Sequence, residues 1–93
     1  MKWFVYILKC KDNSLYTGIA IDPRKRFEQH ISGKGCRYTR AHRPVKIVYL
    51  EKLSGRSKAL KREARIKKMT RQKKTALIKS SKKPFQHRQC LVV

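Results

Sequence analysis

The chain has 93 residues, enough for one small domain but too few to enclose a large internal substrate cavity. Lys and Arg number 26 against five Asp and Glu, a formal net charge of +21, while 40% of the residues are apolar. This balance argues against a disordered basic tail. It favours a folded module with a polyanionic partner, and nucleic acid fits that role better than an anionic membrane surface.

The apolar runs and the cysteines bear on the cellular compartment. No stretch approaches the roughly 20 apolar residues of a membrane span, and no apolar h-region of a signal peptide follows Met1 and Lys2, so we expect a cytoplasmic protein. Cys10, Cys36 and Cys90 are widely spaced, without a C-x-x-C pair. We therefore expect reduced structural thiols rather than a disulfide framework or a zinc site.

The N-terminal part of the chain predicts a β-hairpin. Trp3–Cys10 (WFVYILKC) is apolar at nearly every position, which is typical of a strand covered on both faces and favours the centre of a sheet. Turn-forming residues follow at Lys11–Ser14 (KDNS), and Leu15–Ile21 (LYTGIAI) resumes a β-type composition.

A helix is predicted next, with Asp22 as its cap and Pro23 at its first position. Phe27 and Ile31 form an apolar i, i+4 pair on this helix, and the SGKG stretch at 32–35 ends it. The segment that follows, as far as residue 44, is predicted to be a loop.

The second half of the chain predicts one strand and two helices. In Val45–Glu51 (VKIVYLE), positions 45, 47 and 49 alternate with positions 46, 48 and 50, which predicts a third strand. Ser57 can cap a helix through about Lys68, and Thr70 can cap another through about Lys79. The predicted order is β-β-α-β-α-α, with a single domain over residues 1–80 and a basic C-terminal tail over residues 81–93.

Four side chains of the first half are candidates for chemistry. Arg26 and His30 are four residues apart and share one helix face, although a solvated arginine and a hydrogen-bonded boundary histidine are the plainer interpretations of each alone. Tyr6 and Tyr16 lie on the two hairpin strands and share a face only if the connecting loop has an odd number of residues. If they act together we predict a three- or five-residue loop, or a bulge; otherwise both pack in the sheet.

Glu63 is the fifth candidate. On a helical wheel it falls within the apolar arc of its helix, and it is the only acid between Lys52 and Val93. A salt bridge to Lys67 or Arg62, or a position at the rim of the arc, would be the plainer interpretation. A carboxylate on the inward face of a phosphate-binding protein also suits a divalent metal ion.

Taken together, the hairpin motifs resemble those of the GIY-YIG nuclease superfamily. VYI at 5–7 stands in place of the Gly-Ile-Tyr triplet, with Tyr6 as its tyrosine, and YTG at 16–18 stands in place of Tyr-Ile-Gly, with Tyr16 as its tyrosine. Arg26 follows Gly18 by eight residues, the spacing of the catalytic arginine in the family.

The resemblance extends over roughly Lys2–Leu77. His30 stands where members carry His or Tyr, and Glu63 matches the metal-binding glutamate. The chain is most similar to the small, stand-alone bacterial branch labelled YhbQ-like. Several members carry an asparagine beyond the glutamate helix; the only asparagine here is Asn13, so that contact is missing or replaced.

The resemblance implies an α+β fold, a small three-stranded antiparallel sheet flanked by helices, and a phosphodiesterase that uses one Mg²⁺ or Mn²⁺ on Glu63. Arg26 would stabilise charge on the phosphoryl oxygens. Tyr6, Tyr16 or His30 would take the proton from water, and His30 starts with the pKa better matched to neutral pH. We favour Tyr6 as the general base, its pKa lowered by Arg26 and by a water network on the metal, with His30 and Tyr16 orienting water and phosphate. The products would be a 5′-phosphate and a 3′-hydroxyl.

The implied substrate is DNA, selected by its structure rather than its sequence, in repair or recombination, with a partner protein supplying target choice. Basic and aromatic side chains around the site are candidates for backbone contacts, and Tyr38 either stacks on an unpaired base or packs within the domain. These candidates are Arg24, Lys25, Arg37, Tyr38, Arg40, Arg62 and Arg65. A non-catalytic DNA- or RNA-binding module that keeps this fold is the main alternative, and the charge alone would equally permit a ribosome- or RNA-associated protein.

Overall fold

The computed structural model describes residues 2–80, so the predicted tail over residues 81–93 lies outside the described residues. Within that range the elements are β1 (Trp3–Cys10), β2 (Leu15–Ala20), α1 (Pro23–Ile31), α2 (Arg37–Ala41), β3 (Pro44–Leu53), α3 (Arg56–Lys67) and α4 (Arg71–Ser80). The sheet is antiparallel with strand order β2-β1-β3, which confirms the α+β class and the central position of β1. The sequence predicts a loop where the structure has the short helix α2.

The hairpin between β1 and β2 closes through a three-residue loop. The Cys10 N–H donates to the Ser14 carbonyl at 2.9 Å, and the Asn13 N–H donates to the Cys10 carbonyl at 2.9 Å. Asn13 takes the left-handed conformation, with φ of 72°, that such loops require and that asparagine tolerates. The odd loop places Tyr16 directly opposite Leu8, so Tyr6 and Tyr16 lie on the same face of the sheet, as the prediction required.

Each face of the sheet packs against helices. On one face, a core formed by Val5, Ile7 and Tyr49 packs with Ala59 and Ile66 of α3. On the opposite face the core consists of Tyr6, Leu8, Ala20 and Phe27 of α1, with Ile31 packed against it. The predicted strand covered on both faces is therefore β1.

The third strand departs from the simple alternation that its sequence predicts. The register against β1 shifts between Ile7 and Leu8, so Ile7 pairs with Tyr49 but Leu8 pairs with Ile47. Because one extra residue in a strand turns the following side chains to the other face, Ile47 and Tyr49 lie on opposite faces rather than on one. The strand is also longer than predicted, running from Pro44 to Leu53.

Two helices begin at caps formed by residues close in sequence. Asp22 caps α1 by accepting from the Lys25 N–H at 3.1 Å, and Thr70 caps α4 by accepting from the Lys73 N–H at 3.1 Å. In α3, extended Gly55 takes the cap position, so the predicted cap, Ser57, lies inside the helix. Within residues 2–80, the helices are all too short or too polar to cross a membrane.

Candidate active site

The ring of Tyr6 lies directly over Gly18. The two residues are cross-strand partners in the β1–β2 pair. A Cβ atom at position 18 would lie 2.6 Å from the Tyr6 hydroxyl oxygen and 2.7 Å from Cζ, closer than any real Cβ contact. The glycine of the second triplet therefore makes room for the tyrosine of the first, and it does so on the outer strand of the sheet.

Tyr6, His30 and Thr39 form one buried hydrogen-bonded chain. The Tyr6 hydroxyl lies 3.1 Å from His30 Nε2, and His30 Nδ1 lies 2.7 Å from Thr39 Oγ1. Thr39 Oγ1 also lies 3.2 Å from the Cys36 carbonyl oxygen, which can only accept. Since Thr39 has one hydroxyl proton and gives it to Cys36, we assign the ring proton of His30 to Nδ1. Nε2 then accepts from the Tyr6 hydroxyl.

The loop after α1 closes on the histidine. Gly35 packs so tightly against it that a Cβ at position 35 would lie 2.9 Å from both Cα and Cε1 of His30. His30 is 1% exposed and Thr39 is also 1% exposed, so the chain from Tyr6 to Thr39 is sealed from solvent along most of its length.

Burial keeps both Tyr6 and His30 neutral. Burial raises the pKa of Tyr6 to about 12, although the charge of Arg26 acts in the lowering direction. Arg26 alone therefore does not leave Tyr6 with a lowered pKa, because loss of hydration outweighs the nearby charge. Burial, and next Arg26, lower the pKa of His30 to about 4. At neutral pH the pair is a phenol that donates and an imidazole that accepts.

Arg26 and Glu63 both act on the Tyr6 phenol from different helices. Arg26, on α1, is partly buried and donates to Gln29 Oε1 at 2.8 Å. Glu63 lies on α3, which contacts β2, and its side chain is 18% exposed and pairs with Lys67 at 3.3 Å. After the effects of burial and of Arg26, the charge of Glu63 also acts to raise the pKa of Tyr6. The structure therefore groups Tyr16, Arg26 and His30 around the Tyr6 phenol on one face of the sheet. Glu63 lies on α3, which packs on the other face, and its carboxylate is paired with Lys67.

Tyr16 connects the site to a row of aromatic rings. Its ring lies 6.4 Å from that of Tyr6 and 5.3 Å from that of His30, centroid to centroid. Tyr38 stacks with Tyr16 at 5.5 Å and with His42 at 4.2 Å, and His42 Nδ1 lies 2.6 Å from an Asp12 carboxylate oxygen. Tyr38 thus has the packing role that the sequence allowed. Sequence reasoning missed His42, since its partner Asp12 is 30 residues away.

Cys36 is a second residue that sequence reasoning missed. Burial raises its pKa, but hydrogen bonds with Tyr16, with Thr39 and with the Tyr38 backbone together lower the pKa of this thiol to about 7. Cys36 and Cys10 are both free thiols, and Cys10 is buried in the sheet. Cys90 lies outside the described residues.

The predicted backbone contacts fall into two groups. Most are exposed, namely Arg24, Lys25, Arg37, Tyr38, Arg40 and Arg65, although Arg65 belongs to α3, which packs on the face of the sheet opposite Tyr6. Arg62 differs, because its Nε donates to Glu51 Oε1 at 2.9 Å, an oxygen that also accepts from the Tyr49 hydroxyl at 2.6 Å. Over residues 2–80, no group of three or more His, Cys, Asp or Glu side chains is placed to share a metal ion.

Comparisons with known proteins agree with this fold and identify its family. The family profile described as the GIY-YIG catalytic domain matches residues 2–76. A UPF0213 protein of Staphylococcus aureus strain Mu3 is 57% identical over 76 residues, which cover 82% of this chain and 93% of that protein. The solution NMR structure of a UPF0213 protein from Bacillus halodurans aligns with a TM-score of 0.59 and 37% identity over 92% of each chain. That of a protein from E. faecalis aligns with a TM-score of 0.59 and 33% identity over 96% of each chain.

Proposed function

Because this chain belongs to the GIY-YIG nuclease superfamily, we propose that it is a metal-dependent endonuclease that hydrolyses phosphodiester bonds in DNA. The observation that carries the proposal is the buried hydrogen bond between the Tyr6 hydroxyl and His30 Nε2, with Arg26 acting on the same phenol. A surface that only binds phosphates does not need a buried donor–acceptor pair beside a fixed positive charge.

The hydrogen-bonded chain supplies a route for the proton of the attacking water. Hydrolysis forms a bond from the water oxygen to phosphorus while the bond from phosphorus to the 3′ oxygen breaks, and the departing 3′ oxygen takes up a proton from solvent to become a hydroxyl. Tyr6 accepts the proton of the water as its own proton passes to His30 Nε2, which the Thr39 contact keeps free of hydrogen. A phenol with a pKa near 12 does not ionise alone at neutral pH, so the coupled transfer to His30 is the available path.

Arg26 supplies the fixed positive charge. It is partly buried and held by Gln29, so its guanidinium is oriented before the substrate arrives. Negative charge grows on the phosphoryl oxygens as water adds, and a preorganised cation stabilises that charge without a further cost of reorganisation. Tyr16, packed against both Tyr6 and His30, would orient the water and the phosphate.

The residues present fit one divalent cation. Mg²⁺ is commonly held by one or two carboxylates, with water and substrate phosphate as its other ligands. Glu63 offers one partly buried carboxylate, whose present partner is the flexible ammonium group of Lys67. We therefore assign Glu63 as the protein ligand of Mg²⁺ or Mn²⁺. When bound, the ion would neutralise charge on the phosphoryl group and on the leaving oxygen.

Substrate selection would rest on DNA structure rather than sequence. The exposed basic side chains around the site suit contacts with the phosphate backbone, and such contacts carry no base information. A nuclease of this kind would act in DNA repair or recombination, where a partner protein would supply the choice of target.

The test is cleavage of a labelled panel: single-stranded, duplex, flap, nicked and four-way DNA, and RNA, each with Mg²⁺ or Mn²⁺. We expect metal-dependent cutting of at least one DNA substrate, reduced by at least about 100-fold in Glu63→Gln. Glu28→Gln is the matched control, because Glu28 is an exposed glutamate of α1. Cutting that survives in Glu63→Gln would contradict the metal assignment. Tight binding without cutting of any substrate would instead support the non-catalytic binding module.

A further inference from the structure

A second basic site lies on the face of the sheet opposite Tyr6. A cleft of about 270 Å³ separates that face from α4. Its sheet side begins with a row across the three strands, because Lys9 pairs with Leu15 on one side and with Lys46 on the other. Val48, at the register shift of β3, completes this side.

The helix side of the cleft is one face of α4. Arg71, Thr75, Ile78 and Lys79 line it, at the i, i+4, i+7 and i+8 spacing of a single helical stripe. Leu77 and Ile78 of α4 pack against the core on this face, yet none of the α4 residues, all of which are described, is fully buried. Four lining side chains remain only partly buried and form an apolar floor: Leu15, Val48, Thr75 and Ile78.

Like charges meet across this cleft. Two cations come from the sheet and two from α4, namely Lys9, Lys46, Arg71 and Lys79. No carboxylate lines the cleft, and in the described part of the chain none of the four makes an ion pair with an acid. Converging like charges oppose one another in the folded state, and a bound anion removes that cost.

The five acidic residues of this chain lie outside the cleft. Asp12 bonds to Ser14 and His42, Asp22 caps α1, and Glu28 is exposed on α1, which packs on the other face. The remaining two are bound to neighbours, Glu51 to Arg62 and Glu63 to Lys67. Residues 64–93 contain no Asp or Glu. Since no acid of the described residues lines the cleft, an anion from another molecule would balance its charge.

We propose that this cleft binds one nucleotide unit, with its phosphate among the four cations and its base against the apolar floor. Arg71 offers a planar fork that suits phosphate oxygens, and the lysines add flexible ammonium groups. Flat bases bury apolar surface well against side chains such as Leu15 and Val48. The unit is either part of a nucleic-acid chain or a free nucleotide. The cleft lies across the sheet from Tyr6, Arg26 and His30, and none of the catalytic candidates lines it, so its test is independent of the proposed nuclease activity.

The test is an NMR titration of the full chain, without divalent cations, that follows the methyl signals of Leu15 and Val48. The probes are inorganic phosphate, AMP and a five-nucleotide single strand of DNA. We expect saturable shifts of both residues with AMP and with the oligonucleotide. Lys46→Gln with Arg71→Gln should weaken binding by about tenfold. Lys52→Gln with Lys58→Gln removes the same charge outside the cleft from exposed positions, and should change the affinity by less than about twofold.

The two sources of the nucleotide give different results. Tighter binding of the oligonucleotide than of AMP assigns the cleft to a nucleic-acid segment, while AMP binding that is equal or tighter assigns it to a free nucleotide. Absence of saturable shifts with every probe overturns the proposal, as does equal weakening in the two double variants. If the cleft variant does not fold, the wild-type titrations with AMP and with the oligonucleotide still decide whether the cleft binds a nucleotide.

Discussion

Gly18 leaves open the space that the Tyr6 ring occupies, since the two residues pair across β1 and β2 and a Cβ at position 18 would lie 2.6 Å from the Tyr6 hydroxyl. The same ring placement brings that hydroxyl to His30 Nε2 at 3.1 Å. The close approach of backbone and ring gives a physical reason for the glycine in the second triplet. Any side chain added at position 18 should therefore disturb the position of Tyr6 in the site.

Gly18→Ala should therefore displace Tyr6. We expect a loss of about 1–3 kcal/mol in the free energy of unfolding and a tenfold or greater fall in any cleavage rate. Urea unfolding and single-turnover cleavage measure the two effects. Gly55→Ser is the control, because Gly55 caps α3 in open space with nothing within 4 Å of a Cβ, and its stability should change by no more than about 0.5 kcal/mol. A Gly18→Ala variant as stable as wild type would contradict this account.

Tyr6→Phe tests the proton route. The variant keeps the ring but removes the donor to His30 Nε2, so cleavage should fall by about 100- to 10,000-fold while DNA affinity changes little. Tyr16→Phe is the comparison, because Tyr16 contacts the rings of Tyr6 and His30 without joining the hydrogen bond between them. Its rate should fall by about tenfold or less. A larger loss in Tyr16→Phe than in Tyr6→Phe would reassign the base to Tyr16.

The stability of the fold should depend on pH through His30. Burial holds the pKa of His30 near 4 in the folded state, against about 6.5 in an unfolded chain. Between these values the unfolded chain binds a proton that the folded chain does not. The contribution is therefore complete above pH 6.5 and is lost as the pH falls toward 4.

This dependence has a limiting slope of about 1.4 kcal/mol per pH unit, measurable by urea unfolding from pH 7.5 to 4.5. The range stops there because hydrogen bonds from Ser14, and then from His42, lower the pKa of Asp12, whose contribution is lost only in more acidic solution. His30→Gln should flatten the curve within the window, whatever its absolute stability. An equal slope in wild type and variant would show that another group is responsible.

Thr39 should fix the tautomer of His30. Thr39→Val keeps the shape but removes the acceptor of the Nδ1 proton, which leaves a buried donor unpaired at a cost of about 1–3 kcal/mol. We expect slower cleavage and altered ¹⁵N shifts of the imidazole ring. Thr39→Ser retains the hydroxyl and should keep the wild-type ring shifts. Identical ring spectra in wild type and Thr39→Val would contradict the assignment of the proton to Nδ1.

Local chemistry made part of this fold predictable. The Asp22 and Thr70 caps involve partners three residues away, so sequence alone identified them. The odd hairpin loop followed from requiring Tyr6 and Tyr16 to share a face. The predictions that failed depended on tertiary structure. The register shift that separates Ile47 from Tyr49 leaves no local signal in the sequence.

The sequence identifies the residues of the site more readily than their protonation states. The resemblance identified Tyr6 and His30, but the direction of their pKa shifts depends on burial, which no spacing reveals. Thr39 lies on the short helix α2, nine residues from His30, and only the folded chain brings the two side chains together. Such long-range contacts determine which ring nitrogen of His30 carries the proton.

Arg62 and Arg65 lie on the same helix, α3, but we expect Arg62 to contribute to stability and Arg65 to DNA affinity. Arg62 bonds to Glu51 with side chains that are 24% and 31% exposed, whereas Arg65 makes no ion pair within residues 2–80. Arg62→Gln should cost about 1–2 kcal/mol of stability, because Glu51 loses its cation. Arg65→Gln should leave stability within about 0.5 kcal/mol but reduce the slope of log affinity against log salt by up to about 0.9.

Urea unfolding and salt titration of DNA binding on the same two variants measure both effects. The opposite pattern, a reduced salt slope in Arg62→Gln with unchanged stability, would mean that Arg62 leaves Glu51 to contact phosphate. Moving Arg62 from Glu51 to a phosphate would cost free energy, because Glu51 would keep only the Tyr49 hydroxyl as a partner. The ion pair should therefore persist in the complex, and Arg65 should supply the contact with the DNA backbone.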